Sequence, residues 1–378
     1  MSKATGVYGP SISFNEGVDM IVTNFLSENK DPIMFWGGPG LGKSAMPRVA
    51  QAYLEKKLNK KVEVVDLRLL LLEPSDLRGL PYVNKDDECK WAIAPFLPTD
   101  PESYGILFLD EMTAASQSLM KASLQLTLDR RIGEYELPKN WLVIAAGNRL
   151  KDRGGVVSMP KPLSNRFQHA ELEVSLEDWV SWAYDNNVEQ SVIGFVRFKP
   201  DALYRFDVNN EAWASPRSWE KVNNRMQTGV HSHRDLVQDE KDRILKKSVC
   251  GLIGEGTGTE YFAFRRLYKD LPTPEDVLNG NFKINLNESD KLFAVSTSLV
   301  SYINQKRVAD PRWKPDDRMI NNVLNFVEHI ASRKDFQVAI TRDLAINAKL
   351  NTALLSHERS PEVKTRWKKI FGEISPYM

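Results

Sequence analysis

Residues 32–44 read Pro-Ile-Met-Phe-Trp-Gly-Gly-Pro-Gly-Leu-Gly-Lys-Ser, an apolar run followed by Gly37-x4-Gly42-Lys43-Ser44 and then a helix-compatible stretch. Strand, glycine-rich loop and helix, in that order, are the context a phosphate-binding loop needs. The glycines let the backbone curl so that successive N–H groups converge on one place, and the helix N-terminus adds partial positive charge there. Gly38, Pro39, Gly40, Leu41 and Gly42 are therefore expected to cradle the phosphates of ATP. Lys43 would put a point charge on the β and γ phosphates, and the Ser44 hydroxyl would complete the coordination of Mg2+. The bland alternative is a Gly/Pro-rich turn with a chance Lys-Ser, and the flanking pattern argues against it.

Outward from this loop, further apolar runs occur at Val62 to Leu67, Ile106 to Leu109 and Trp141 to Ala146. None alternates with period two, as suits strands buried on both faces of a parallel sheet wrapped by helices. The expected fold class is α/β. The third run ends in Asp110-Glu111, at the carboxyl end of its strand, where an open α/β sheet presents its ligands. Asp110 would hold Mg2+ through its water shell, and Glu111 would orient or deprotonate the attacking water. An acidic helix start after a strand is the competing reading of this pair taken alone.

The next run closes at Asn148, and Pro162-Leu163-Ser164-Asn165-Arg166-Phe167 follows. With these residues in order the chain resembles the AAA+ superfamily. The resemblance implies that Asn148 is the sensor 1 residue that positions the lytic water, and that Arg166 reaches the γ-phosphate held by a neighbouring subunit. An amide both donates and accepts, and a planar guanidinium stabilises charge on a transferring phosphoryl group, so both roles are chemically sensible. Ser215-Pro216-Arg217-Ser218-Trp219 reads as an N-cap, a first-turn proline and an arginine that opposes the helix dipole. It is similar to the sensor 2 motif, which implies that Arg217 contacts the phosphates in its own subunit. Glu73-Pro74-Ser75-Asp76-Leu77-Arg78-Gly79, then two short strands around the polar turn Asn84 to Glu88, look like the hairpin insert of MoxR-type ATPases. The McrB-like and magnesium chelatase subunits share it. One departure is Asn165, where MoxR proteins usually carry an Asp before the finger arginine; Arg149, Arg153, Arg130 and Arg131 are rival candidates for the contact across subunits.

The resemblance implies an AAA+ core over residues 1–172 with the insert near 73–98, an α-helical lid over 173–275 and a helical extension over 276–378. The loss of apolar runs beyond Leu176, with Trp179, Trp182, Ala183, Val192, Phe195 and Val196 at roughly helical spacing, independently points to a helical second half. The implied activity is ATP hydrolysis between subunits of a hexameric ring that remodels a protein partner, one with a von Willebrand factor A domain being common for MoxR-like proteins. Two other readings are a nucleic-acid motor of McrB-like kind and a P-loop kinase acting on a small molecule.

Charge bears on the motor. Lys+Arg at 51 against Asp+Glu at 50 gives no global field toward nucleic acid or anionic membrane, leaving only local groups such as Arg243, Lys246 and Lys247, or Arg366, Lys368 and Lys369. Such groups are more often solvated helix faces. Cys89 and Cys250 are too few for a disulfide framework, so a reducing cytoplasm is expected, with both thiols buried. No apolar run reaches the roughly 18 residues that span a membrane. His231-Ser232-His233 reads as an exposed turn, Trp179, Trp182, Trp213 and Trp219 as core, and Gly251 to Gly256 as a turn between helices.

Overall fold

The computed structural model describes residues 8–152, 157–310, 312–351 and 359–374. The chain forms two compact units, residues 1–175 and 176–378. In the first, β1 (Ser11–Ile12), β2 (Ile33–Trp36), β3 (Val62–Arg68), β6 (Tyr104–Asp110), β9 (Trp141–Gly147) and β10 (Gln168–Leu172) make one sheet in the order β1-β10-β2-β9-β6-β3. Every pairing in it is parallel. Parallel strands require crossovers, and α1 (Phe14–Leu26) lies on the one from β1 to β2, α2 (Met46–Leu58) on the one from β2 to β3 and α4 (Gln117–Asp129) on the one from β6 to β9. The expected parallel α/β core with flanking helices, followed by a helical half, is the fold observed. Helix α1 starts at a reciprocal cap, where Ser13 Oγ accepts from the Glu16 N–H and Glu16 accepts from the Ser13 N–H.

The strand order matters more than the strand count, because β9 lies between β2 and β6. Its register sets Gly147 opposite Trp36 and Ala145 opposite Leu109. The residue after β9 therefore leaves the sheet between the start of the glycine loop and the acidic end of β6. All seven residues of β9 and all four of β2 are buried, which is why their sequences are continuous apolar runs.

Between β3 and β6 stand α3 (Pro74–Arg78) and an antiparallel hairpin of β4 (Leu80–Val83) and β5 (Cys89–Ala92). Every residue of β4 is exposed, Leu80 at 66% and Val83 at 67%. Cys89 sits on this hairpin and is exposed, and Cys250 is half-buried, so neither thiol is the buried one expected. A two-stranded ribbon has no second layer to cover it.

The second unit is helical: α6 (Leu176–Asp185), α7 (Gln190–Phe198), α8 (Pro216–Thr228), α9 (Gln238–Ile253), α10 (Glu255–Arg266), α11 (Pro274–Leu278), α12 (Ser289–Ala309), α13 (Asp317–His329), α14 (Lys334–Arg342) and α15 (Pro361–Ile374). Helix α13 shows the pattern that packs them, with Ile320, Val323, Leu324 and Val327 buried along one face. One apolar cluster joins Phe195, Trp219 and Tyr261 with Leu292, Phe326 and Trp367, and so runs across position 275. Trp179 and Trp219 belong to it, whereas Trp182 is exposed and Trp213 only half-buried. The turn expected over Gly251 to Gly256 is reduced to Gly254, at φ 85°; Gly251 ends up inside α9 and Gly256 inside α10. No helix among the described residues is long and apolar enough to cross a membrane.

Candidate functional site

The glycine loop joins β2 to α2. Gly40 and Gly42 have φ of 84° and 93°, the left-handed region that side chains strain to adopt. Gly42 is followed by a 3-10 turn, Lys43–Ala45, closed by the Ala45 N–H donating to the Gly42 carbonyl at 2.8 Å. The amides of Gly40 and Gly42 form no hydrogen bond among the described residues. Lys43 is buried, and its Nζ donates to the carbonyls of Gly37 at 2.7 Å and Gly38 at 2.9 Å and to Asn148 Oδ1 at 3.1 Å.

Ser44 Oγ donates to Asp110 Oδ2 at 2.7 Å, bringing the first turn after the loop against the end of β6. Asp110 is 8% exposed, and its Oδ1 accepts from the Glu111 N–H at 2.8 Å. A hydroxyl and a carboxylate are hard oxygen donors of the sort Mg2+ takes in ones and twos, leaving its other positions to water and phosphate. The pair therefore fits that ion. Among the described residues no group of three His, Cys, Asp or Glu is placed to hold a metal by itself. Asp66, across from Phe108 on β3, was not singled out by its sequence. Although the residue is exposed, partial desolvation of its carboxyl, then the charge of Asp110, pushes it above the usual range, with Arg68 and Arg48 pulling the other way.

Glu111 follows directly in a left-handed conformation, φ 55°, costly for a residue with a side chain. Its side chain is exposed and makes no hydrogen bond or ion pair among the described residues. Asn148, besides accepting from Lys43, donates its backbone N–H to Thr113 Oγ1 at 3.0 Å. Thr113 carried no motif signal, being a lone hydroxyl after an acidic pair.

The arginines separate by what they touch. Arg149 is bound within its own unit, with Nε and Nη2 donating to Asp152 and Nη1 to Glu171 at 2.8 Å. Burial opposes its charge, but these two carboxylates outweigh burial and hold its pKa above the usual value. Arg130 donates to the carbonyls of Pro138 at 2.8 Å and Trp141 at 2.7 Å, and burial lowers its pKa. Arg131, on β7 (Arg131–Ile132), and Arg166, just past α5 (Lys161–Ser164), are exposed. Arg166 makes no side-chain hydrogen bond or ion pair among the described residues. Arg153 lies outside the described residues. In the second unit Ser215 caps α8, accepting from the Ser218 N–H, and Arg217 is exposed in the first turn, likewise with no such bond.

A further contact was not legible. Trp36 Nε1, at the last residue before the glycine loop, donates to His169 Nδ1 at 2.8 Å. Indole is only a donor, so Nδ1 accepts, and His169 Nε2 carries the proton toward the Ser164 carbonyl at 2.7 Å. The strand entering the loop is thus tied to the segment preceding Arg166.

No family model matches the sequence. Among solved structures the chain is similar to NtrX from Brucella abortus, at 14% identity over 97% of this chain and 70% of that one, with a TM-score of 0.36. It is also similar to the P216G mutant of RuvB from Thermotoga maritima, at 12% identity over 81% and 90% of the two chains, TM-score 0.37. A putative ATPase from Cytophaga hutchinsonii gives 14% identity over 81% and 86%, TM-score 0.29. At these scores the likenesses assign no role to any residue.

Proposed function

We propose that the chain is an ATP hydrolase of AAA+ type, in which ATP binds at the 37–44 loop and is cleaved with help from an adjoining subunit of a homo-oligomeric, hexameric ring. The observation that carries this reading is the Ser44 to Asp110 contact at 2.7 Å together with the Lys43 to Asn148 contact at 3.1 Å. Residues from three separate strand ends, chosen by sequence for one reaction, meet at one edge of one sheet.

In this reading the Lys43 ammonium leaves the carbonyls of Gly37 and Gly38 for phosphate oxygens, and the free amides of the loop point at the same phosphates. Ser44 and Asp110 would hold Mg2+, which would supply positive charge to offset that of the phosphates. Glu111, the exposed acid, takes the proton of the attacking water, and Asn148 holds that water in place. Arg166 supplies a cation to the neighbouring subunit's γ-phosphate; its exposure and lack of a partner among the described residues suit a group kept for another chain. Arg217 reads the phosphates from the lid, taken as residues 173–275, with 276–378 as an extension. Loss of the γ-phosphate releases both arginines, and that difference in contacts drives motion. The motion remodels a bound protein, in the MoxR-like manner, with a von Willebrand factor A domain protein as the first partner to try.

Glu111→Gln tests the chemistry. It should bind ATP as the wild type does and lower phosphate release by at least about a hundredfold, the scale of a lost general base. Wild-type turnover in this variant would remove Glu111 from the mechanism.

A further inference from the structure

We infer that Thr113 is a positioning residue for hydrolysis, because its hydroxyl ties the turn that presents Glu111 to the strand end that presents Asn148; this rests on the ATPase reading above. Thr113 is 1% exposed. Its Oγ1 accepts from the Asn148 N–H at 3.0 Å and donates to the Asn148 carbonyl at 3.2 Å. Both bonds end on the main chain of one residue, so they fix the orientation of that residue as well as its distance. The single hydroxyl proton is used in doing so.

The approach is open only because residue 147 is glycine. A Cβ there would stand 2.6 Å from Thr113 Cγ2 and 2.7 Å from Oγ1, well inside contact distance. On the other side, Thr113 is the middle residue of the 3-10 turn Met112–Ala114 that follows left-handed Glu111. That turn is closed by the Ala114 N–H donating to the Glu111 carbonyl at 2.9 Å, and the Thr113 carbonyl accepts from the Val157 N–H at 2.7 Å. Any shift of Thr113 therefore passes through a short hydrogen-bonded turn to Glu111. Asn148 in turn accepts from Lys43. The Thr113 hydroxyl thus links the turn that presents Glu111 to the main chain of Asn148, whose side chain accepts from Lys43.

A threonine that merely satisfies buried backbone would affect stability and leave turnover of the folded protein alone. The test uses the full-length chain, with Thr113→Val, which keeps the shape and loses the hydroxyl, and Thr113→Ser, which keeps the hydroxyl. The kcat and KM for ATP are measured below the unfolding temperature of each, with amide hydrogen exchange at Asn148 in parallel. Thr113→Val is expected to lower kcat about tenfold or more, as small misplacements of reacting groups do, with KM changed by less than about twofold. Exchange at Asn148 should quicken, and Thr113→Ser should restore both. If the valine variant does not fold, Thr113→Ala is held to the same pattern. Wild-type kcat in the variant without the hydroxyl, a serine variant as impaired as the valine one, or unchanged exchange at Asn148 would each overturn the inference. A wild-type chain that hydrolyses no ATP defeats the ATPase reading and the catalytic role of Thr113 with it, and is recognised by that result alone.

Discussion

Lys43 holds its ammonium against oxygens of Gly37, Gly38 and Asn148, so a phosphate must compete with contacts already made. Ionised phosphate oxygens make stronger hydrogen bonds to an ammonium than neutral carbonyls do. Lys43→Ala should therefore weaken ATP binding by at least about tenfold, roughly one charged hydrogen bond, in a fluorescence titration. Lys43→Arg should not restore it, since a planar fork does not replace a compact ammonium in a buried loop. An alanine variant that binds like the wild type would contradict the assignment. In the second unit, Asp343 accepts from Arg197 and from Asn347 Nδ2, the latter at 2.9 Å. Burial nevertheless pushes its carboxyl up to about 6, with Arg197 pulling against it. A raised folded pKa gives stability that is complete below the unfolded value and is lost as pH rises through the folded one. The stability difference between wild type and Asp343→Asn should thus be most favourable to the wild type near pH 4 and shrink by pH 7 in urea titrations. A difference that grows with pH would mean that the Arg197 attraction wins over burial.

Strands β2, β6 and β9 were legible because they are almost wholly buried and their residues are apolar up to the acid, Asp110, that closes β6. Strand β10 was not, and the reason is chemical. Its Gln168, His169 and Glu171 each bond a specific partner, namely Asn24, Trp36 and Arg149, so polar side chains stand where an apolar run would have announced a strand. The same feature explains the site. Lys43, Ser44, Asp110 and Asn148 were readable from motif and position, whereas Thr113 and His169 gain meaning only through partners distant in sequence. Helix packing carries its own expectation: Trp219 is fully buried, donates to the Ala202 carbonyl at 2.8 Å and packs on Phe195 and Tyr261. Trp219→Ala should cost about 3–5 kcal/mol in chemical denaturation. By contrast, replacing the β4–β5 hairpin with a short Gly-Ser turn should cost under about 1 kcal/mol, because every residue of β4 is exposed. A large loss there would show that the hairpin is braced by its own chain.

At the scale of the whole molecule, the arginines near the bonded cluster of Lys43, Ser44, Asp110 and Asn148 differ in whether they are used within the chain. Arg149 and Arg130 are consumed internally, by carboxylates and carbonyls respectively. Arg166 is exposed and without a partner among the described residues. If one subunit completes the site of the next, hydrolysis depends on protein concentration. Steady-state ATP hydrolysis per subunit is measured across a dilution series for the wild type and Arg166→Ala, with oligomer size recorded by light scattering at each point. Specific activity is expected to rise as the oligomer forms, and the Arg166→Ala protein to assemble but lose about a hundredfold or more of that activity. Specific activity independent of dilution, in monomers indifferent to Arg166→Ala, would contradict it.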